Sequence, residues 1–319
     1  MNILMVGRGV IATLYAWALE KAGHKVDFYV RPGRAAQYGT SVNLEIRDGR
    51  ISSAENLVTE RWLITMREDL NADHDYDLIM VSVFYHQLSD VIAFLRTRIG
   101  KATVLIFNNL WTDPQEAVSD LPTEQVVWGF PGGGGGFFGT NLLKGGILKT
   151  LFMGRIGNSK RSARYQAVYE MFRSAGFSVS ESKDFRGWLW FHFVLEAALA
   201  VQALKVGGYS NVFSSAPQLK ATILLMREML PVLKAKGEKP NPGVTILLNL
   251  PAGLLGCIGQ KVLSGDRLES FNTVKQLDAS GHASYELLSR YPREVLADAH
   301  RLGVALPRLT TLAAFFNTK

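Results

Sequence analysis

Cysteine is nearly absent from this chain: Cys257 is the only one in 319 residues. That excludes an internal disulfide and a cysteine metal cluster, and it fits a reducing, cytoplasmic compartment. Histidine is scarce as well, with six, and no His/Asp/Glu set has ligand spacing, so no metal is expected. No long Lys/Arg run carries the net charge of +7, and no nucleic-acid motif accompanies it. A spread of positive charge suits an anionic cofactor and substrate. No repeat of solenoid length is visible. The N-terminal apolar run, residues 2–6, is too short for a signal peptide and reads as a strand. Residues 188–204 form the most apolar long stretch, but His192, Glu196 and Gln202 interrupt it, so it reads as a buried helix rather than a membrane span.

What is present is an ordinary globular composition, 47% hydrophobic and 20% charged, in a chain long enough for two domains. Its organising stretch is residues 1–31. The apolar run Asn2-Ile3-Leu4-Met5-Val6 has the length of a strand buried on both faces. Gly7-Arg8-Gly9-Val10-Ile11-Ala12 follows at once, then a helical stretch to Gly23 and a second strand over residues 25–30. Strand, G-x-G-x-x-A turn, helix and strand in this order predict a dinucleotide site. Gly7 allows the sharp turn, Gly9 lets backbone approach a pyrophosphate, and Ala12 lets the helix lie close on the sheet. The free amides at the helix start, from Val10 to Ala12, offer the phosphates hydrogen bonds and a partial positive charge.

The end of the second strand chooses between the nicotinamide cofactors. An acidic residue there would bind the ribose 2′-hydroxyl of NAD; this chain has Arg31, with Arg34 three residues on. A guanidinium suits a 2′-phosphate, so NADPH is the expected cofactor. Asp27 falls inside the strand and should point elsewhere.

Further along, residues 41–51 alternate and carry Asp48-Gly49, a hairpin signal; residues 62–66 read as another strand. Residues 77–83 and 103–107 read as buried parallel strands. Asn108 and Asn109 follow the second of these, where ligands of open α/β sheets bind, although asparagine also favours strand-exit turns for backbone reasons alone. Residues 126–130 form a strand that runs into Pro131 and five glycines, Gly132 to Gly136. Five glycines make a poor strand. They read either as bare backbone passing a ligand or as a flexible surface loop. Residues 147–156 return as a strand, 163–175 as a helix and 177–179 as a last strand. From residue 184 the pattern is helical, over 188–205, 219–237, 243–262, 266–277 and 285–302. The expected architecture is α/β: a doubly wound Rossmann-type N-terminal domain (1–183) followed by an all-α C-terminal domain (184–319), with the reaction in the cleft between them.

These residues resemble the ketopantoate reductase (2-dehydropantoate 2-reductase) family. The likeness spans nearly the whole chain: the glycine opening, Ala22-Gly23-His24-Lys25-Val26, Ile106-Phe107-Asn108-Asn109, the segment from Gly129, Met153 to Gly157, and Leu302-Gly303-Val304-Ala305-Leu306-Pro307. It implies that Arg31 holds the NADP phosphate, that Asn108 contacts both cofactor and substrate, that Gly134 lies beside the nicotinamide, that Gln87 keeps a cofactor contact and that Glu286 meets the ribose if one residue is inserted. Thr273 would replace the family's substrate serine. The catalytic lysine does not carry over: His192 stands at its position, Glu196 replaces the first substrate-binding asparagine and Ala200 the second, and Phe84 stands where a lysine usually follows the third strand.

His192 and Glu196, four apart on one helix face, still make a workable pair. A neighbouring carboxylate should raise the imidazole pKa, making His192 a candidate general acid, with Asn108 steadying the same substrate oxygen. The competing reading is a His–Glu pair that only packs. Two function classes follow: an NADPH-dependent reductase of a 2-oxo acid or related carbonyl or imine, or a catalytically altered NADP-binding protein, a sensor or partner protein without turnover. A small-molecule carbonyl substrate, no nucleic acid, no membrane and optional homodimerisation through the helical half complete the expectation.

Overall fold

The computed structural model describes residues 1–51, 56–157, 161–238, 242–263, 269–281 and 283–317. The chain divides into two compact units, Met1–Arg186 and Gly187–Lys319, three residues beyond the boundary read from the sequence.

Unit 1 is built on two sheets. Its strands are β1 (Asn2–Val6), β2 (Lys25–Tyr29), β3 (Ser41–Asp48), β4 (Leu57–Leu63), β5 (Thr65–Arg67), β6 (Leu78–Val81), β7 (Thr103–Ile106), β8 (Val126–Phe130), β9 (Gly133–Phe138), β10 (Leu142–Ile147), β11 (Thr150–Gly154) and β12 (Ser178–Ser182). The main sheet has the order β12-β11-β8-β7-β6-β1-β2-β5. Its neighbours are parallel except β8 and β11. Each of β6 and β7 is four consecutive buried residues, as a strand covered on both faces requires. The helices are α1 (Val10–Lys21), α2 (Arg34–Tyr38), α3 (Leu88–Leu95), α4 (Pro114–Ala117) and α5 (Ala163–Ser174). Nine of the twelve α1 residues are buried, so this helix is held by the core and not by its own propensity. Its Tyr15 packs among Phe107, Phe172 and Phe177, edge-on to Phe107 at 4.9 Å and stacked on Phe177 at 5.1 Å.

The second sheet, β4-β3-β10-β9, departs from the sequence reading. The expected hairpin at Asp48-Gly49 is the β3–β4 pair, but its connection is longer than a tight turn. The strand expected over 147–156 is β11, shorter at both ends, and Ile147 instead closes β10. The pentaglycine is not a flexible loop, and the expectation that five glycines make a poor strand fails: Gly133 to Gly136 lie in β9, paired antiparallel with β10, Gly135 opposite Gly145 and Gly134 opposite Gly146. The reason is close backbone approach. A Cβ on Gly133 (φ +146°) would stand 2.7 Å from the Gly146 oxygen, and one on Gly135 (φ +141°) 2.6 Å from Gly145 Cα. Tyr15 anchors the entry, its hydroxyl accepting from the Gly132 N–H (2.9 Å) and donating to the Gly132 carbonyl (3.2 Å). Main-chain pairing and packing against α1 outweigh the entropy that glycine loses in a strand.

Unit 2 is helical in its described residues. α6 (Phe185–Val206) contains the unit boundary; α7 (Tyr209–Phe213), α8 (Ala216–Ala235), α9 (Pro242–Asn249), α10 (Ala252–Leu263), α11 (Glu269–Ala279), α12 (Tyr285–Arg301) and α13 (Pro307–Thr311) follow. α6 is long and apolar enough to cross a membrane by length and composition, but 61% of that window is buried inside the protein. The single helix expected over 243–262 breaks at Pro251, which cannot donate to the helical ladder, and α9 and α10 meet at 107°. Residues 266–268 of the expected helix 266–277 lie outside the described residues.

Candidate functional site

The strand order places a switch point in unit 1. From β1 the chain moves one way to β2 and then returns to the other side for β6, β7 and β8. In such sheets the crevice beyond the carboxyl ends is where ligands bind. Gly7 follows β1 directly with φ +82°, and its N–H donates to the Tyr29 carbonyl (2.8 Å), tying the turn to the end of β2. Gly9 is the exposed N-cap of α1, and the first helical bond runs from the Thr13 N–H to the Gly9 oxygen (2.9 Å). The amides of Val10, Ile11 and Ala12 therefore have no acceptor within the helix. A Cβ on Gly9 would be 4.0 Å from the Ser82 oxygen, so the turn faces the chain leaving β6. Ala12 is fully buried under the helix.

Past β2, Arg31 is exposed, and Gly33 turns the chain at φ +80° into α2. Arg34 hydrogen-bonds Gln37 (2.9 Å). Asp27 is turned elsewhere, accepting from Arg67 Nε and the Tyr76 hydroxyl, both at 2.7 Å. One acidic residue at this turn escaped the sequence reading. Glu68, from the end of β5, accepts from the Ala35 amide (2.8 Å), and the amides of Ala35, Gly33 and Arg34 hold its carboxyl below the usual range. It arrives from a different strand, so no local spacing announces it.

Asn108 sits beyond β7, 3% exposed; its amide nitrogen donates to the Val83 carbonyl, while Oδ1 is buried without a partner. It braces the chain leaving β6 and keeps one polar atom open. Asn109 beside it also has an unpartnered Oδ1. Gln87 is exposed at the end of a short 3₁₀ turn after β6. His86 is exposed and stacked on Phe84 (5.7 Å). Gly134 lies within β9, its register partner Gly146.

In unit 2, α6 carries His192 and Glu196 on one face, Nε2 to Oε1 3.7 Å. The sequence missed their neighbours: Trp188 stacks on the imidazole (5.3 Å between centroids, 8° between planes), and the Tyr209 hydroxyl donates to Glu196 Oε2 (3.2 Å). Tyr209 opens α7 after Gly207-Gly208, and no helical spacing links it to Glu196. Burial overturns the expected pKa direction. His192 is pushed down to about 4 and Glu196 up to about 7, with the Tyr209 bond only tempering the second shift. Desolvation penalises both charged forms, and at 3.7 Å the pair does not compensate. At neutral pH the imidazole is therefore uncharged, and the carboxyl is the group near its titration point. Thr273 is buried in α11. Glu286 lies in the first turn of α12, exposed and bridged to Arg290 (3.2 Å). His282 lies outside the described residues.

The fold is thus a doubly wound Rossmann-type unit with a glycine turn at its switch point, followed in the chain by a helical unit. Residues 3–135 match the family model for ketopantoate reductase PanE/ApbA, in line with the resemblance read from the sequence. The 2-dehydropantoate 2-reductase of Geobacter metallireducens GS-15 shares the fold over 99% of both chains, with TM-score 0.70 and 16% identity. D-mandelate dehydrogenase, solved with NADH and anilino(oxo)acetate, matches with TM-score 0.73 and 12% identity over 99% of this chain and 97% of its own. A dimeric ketopantoate reductase from Staphylococcus aureus matches with TM-score 0.67 and 12% identity over 99% and 97%. No curated protein matches the sequence significantly.

Proposed function

We propose that the whole chain is a divergent ketopantoate reductase-like enzyme, an NADPH-dependent reductase of a 2-oxo acid or related carbonyl. The observation that carries this reading is the Gly7-Arg8-Gly9 turn at the β1/β6 switch point with Arg31 just past β2. The residues fit a nicotinamide dinucleotide: Gly9 leaves the start of α1 uncovered, and Asn108 keeps a buried carbonyl oxygen in search of a donor. When bound, the cofactor supplies the hydride. Asn108 orients the bound groups through Oδ1. In this reading the proton comes from the His192–Glu196 pair: with His192 pushed down and Glu196 pushed up, the protonated Glu196 carboxyl is the donor, held by the Tyr209 hydroxyl. Thr273 and Glu286 are the remaining contacts in this reading, for substrate and ribose respectively, and the lone cysteine suits a cytoplasmic enzyme.

NADPH oxidation against a panel of 2-oxo acids tests the reading. Turnover should drop by roughly two orders of magnitude in Glu196→Gln and less in His192→Ala, and kcat should decline as pH rises through about 7. A rate that declines already above pH 4 would return the proton to His192. One observation favours a second reading, a dinucleotide-binding sensor: His192 and Glu196 are engaged with Trp188 and Tyr209 as packing partners. Tight NADPH binding without turnover on any carbonyl decides for it.

A further inference from the structure

The turn between Gly7 and Gly9 holds an arginine whose side chain does not reach into solvent. Arg8 is 8% exposed. Its guanidinium lies between two rings, 4.4 Å from the centroid of Tyr38 and 4.6 Å from that of Phe137. Nη2 donates to the Thr140 carbonyl; Nε and Nη1 are buried with no partner. Among the described residues no carboxylate pairs with it.

A guanidinium has five N–H donors and stays charged, so burying it with two nitrogens unsatisfied and no counter-charge is costly. The rings supply cation–π attraction and hold its plane, but they accept none of the open hydrogens. The charge and the open donors call for an anion. Its position says which one. In the function proposed above, the backbone of Gly9 and the start of α1 take the pyrophosphate. The Arg8 side chain turns away from them, towards Tyr38 and the β9–β10 connection at Thr140. Tyr38 is the last residue of α2, the helix that opens at Arg34 just after Arg31.

We propose that Arg8 is a specificity-determining residue that, with Arg31, recognises the 2′-phosphate of the dinucleotide. This rests on the reading that unit 1 binds a nicotinamide dinucleotide. A phosphate arriving at the end of β2 supplies acceptor oxygens for Nε or Nη1 and the counter-charge that Arg8 lacks. The unphosphorylated ribose supplies no charge. Discrimination is thus placed inside the glycine motif as well as past the second strand.

The test is a fluorescence titration of the full chain with NADPH and NADH, for the wild type, Arg8→Gln and Arg8→Lys. The wild type should prefer NADPH. Arg8→Gln should lose NADPH affinity by roughly tenfold or more and change NADH affinity by less than about twofold; Arg8→Lys, which keeps the charge but not the fork, should fall between. A second arm needs no variant and stands even if Arg8→Gln fails to fold: adenosine 2′,5′-bisphosphate should displace NADPH from the wild type about tenfold more effectively than AMP. Equal losses for both cofactors would make Arg8 a mere anchor of the turn and overturn the proposal, as would equal displacement by the two adenosine compounds. A wild-type chain that binds neither dinucleotide removes the underlying reading too. One that binds both, with Arg8→Gln changing neither, removes this inference alone.

Discussion

Glu196 holds its proton into the neutral range because desolvation penalises its charged form more than the Tyr209 hydroxyl, which donates to it, offsets. The consequence for stability has a definite sign. Between the ordinary carboxylate range and about pH 7 the native chain keeps this proton and the unfolded chain has lost it, so the group's contribution falls as pH rises through that window. His192 acts oppositely: its pKa is depressed to about 4, so stability is lost as pH falls from 6.5 towards 4. Glu196→Gln removes only the first effect. Relative to the wild type, the variant should be unchanged near pH 4 and more stable at pH 8 by roughly 3 kcal/mol at most. Urea titrations at a series of pH values would read this, and a difference that does not grow with pH would refute the burial assignment. The pairing of His192 with Glu196 was legible from their spacing of four residues. The direction of their titration was not, because desolvation depends on what the helix is packed in. The turning away of Asp27 and the exposed place of Arg31 past β2 were legible for the converse reason: strand alternation and strand ends are local.

At the scale of elements, β9 is the instructive case. A run of glycine has no side chains to signal a strand, and entropy argues against one. What stabilises it lies elsewhere in the chain: Gly145 and Gly146 on β10, which let the two backbones close up, and Tyr15 on α1. Gly135→Ala would set its Cβ on the Lys144 carbonyl at a φ of +141°, whereas Gly139→Ala, at φ +64°, meets nothing within 4 Å. The first should cost more than about 3 kcal/mol or prevent folding, and the second about 1–2 kcal/mol. Comparing the two melting temperatures checks this; similar values would mean that the β9–β10 approach is softer than described. The break at Pro251 was legible in principle, since proline ends a helical ladder, but the apolar pattern runs across it and hides the bend.

At the scale of the molecule, the alternation of strand and helix up to residue 182 and its cessation afterwards marked out two units, because a doubly wound sheet and a helical body have different hydrophobic periods. The four-stranded second sheet was not legible: β3 pairs with β10 across nearly a hundred residues, and no local pattern records so distant a partner. Ligand linkage gives the prediction at this scale. NADPH at about a hundred times its Kd should stabilise the native chain by roughly 2.7 kcal/mol, and NADH at the same concentration by less. Thermal scans with each cofactor measure both, and superimposed curves with and without NADPH would contradict cofactor binding.

The glycine strand also bears on how this chain can diverge over time. Every single-base change in the first two positions of a glycine codon inserts a side chain or a stop. At residues 132, 133 and 135 any added Cβ would overlap neighbouring main chain. Those three positions are closed to neutral drift, whereas an open position such as 139 carries only the milder strain of its φ. In the lineage of this protein, residues 132, 133 and 135 should persist as fixed points while the surrounding surface turns over.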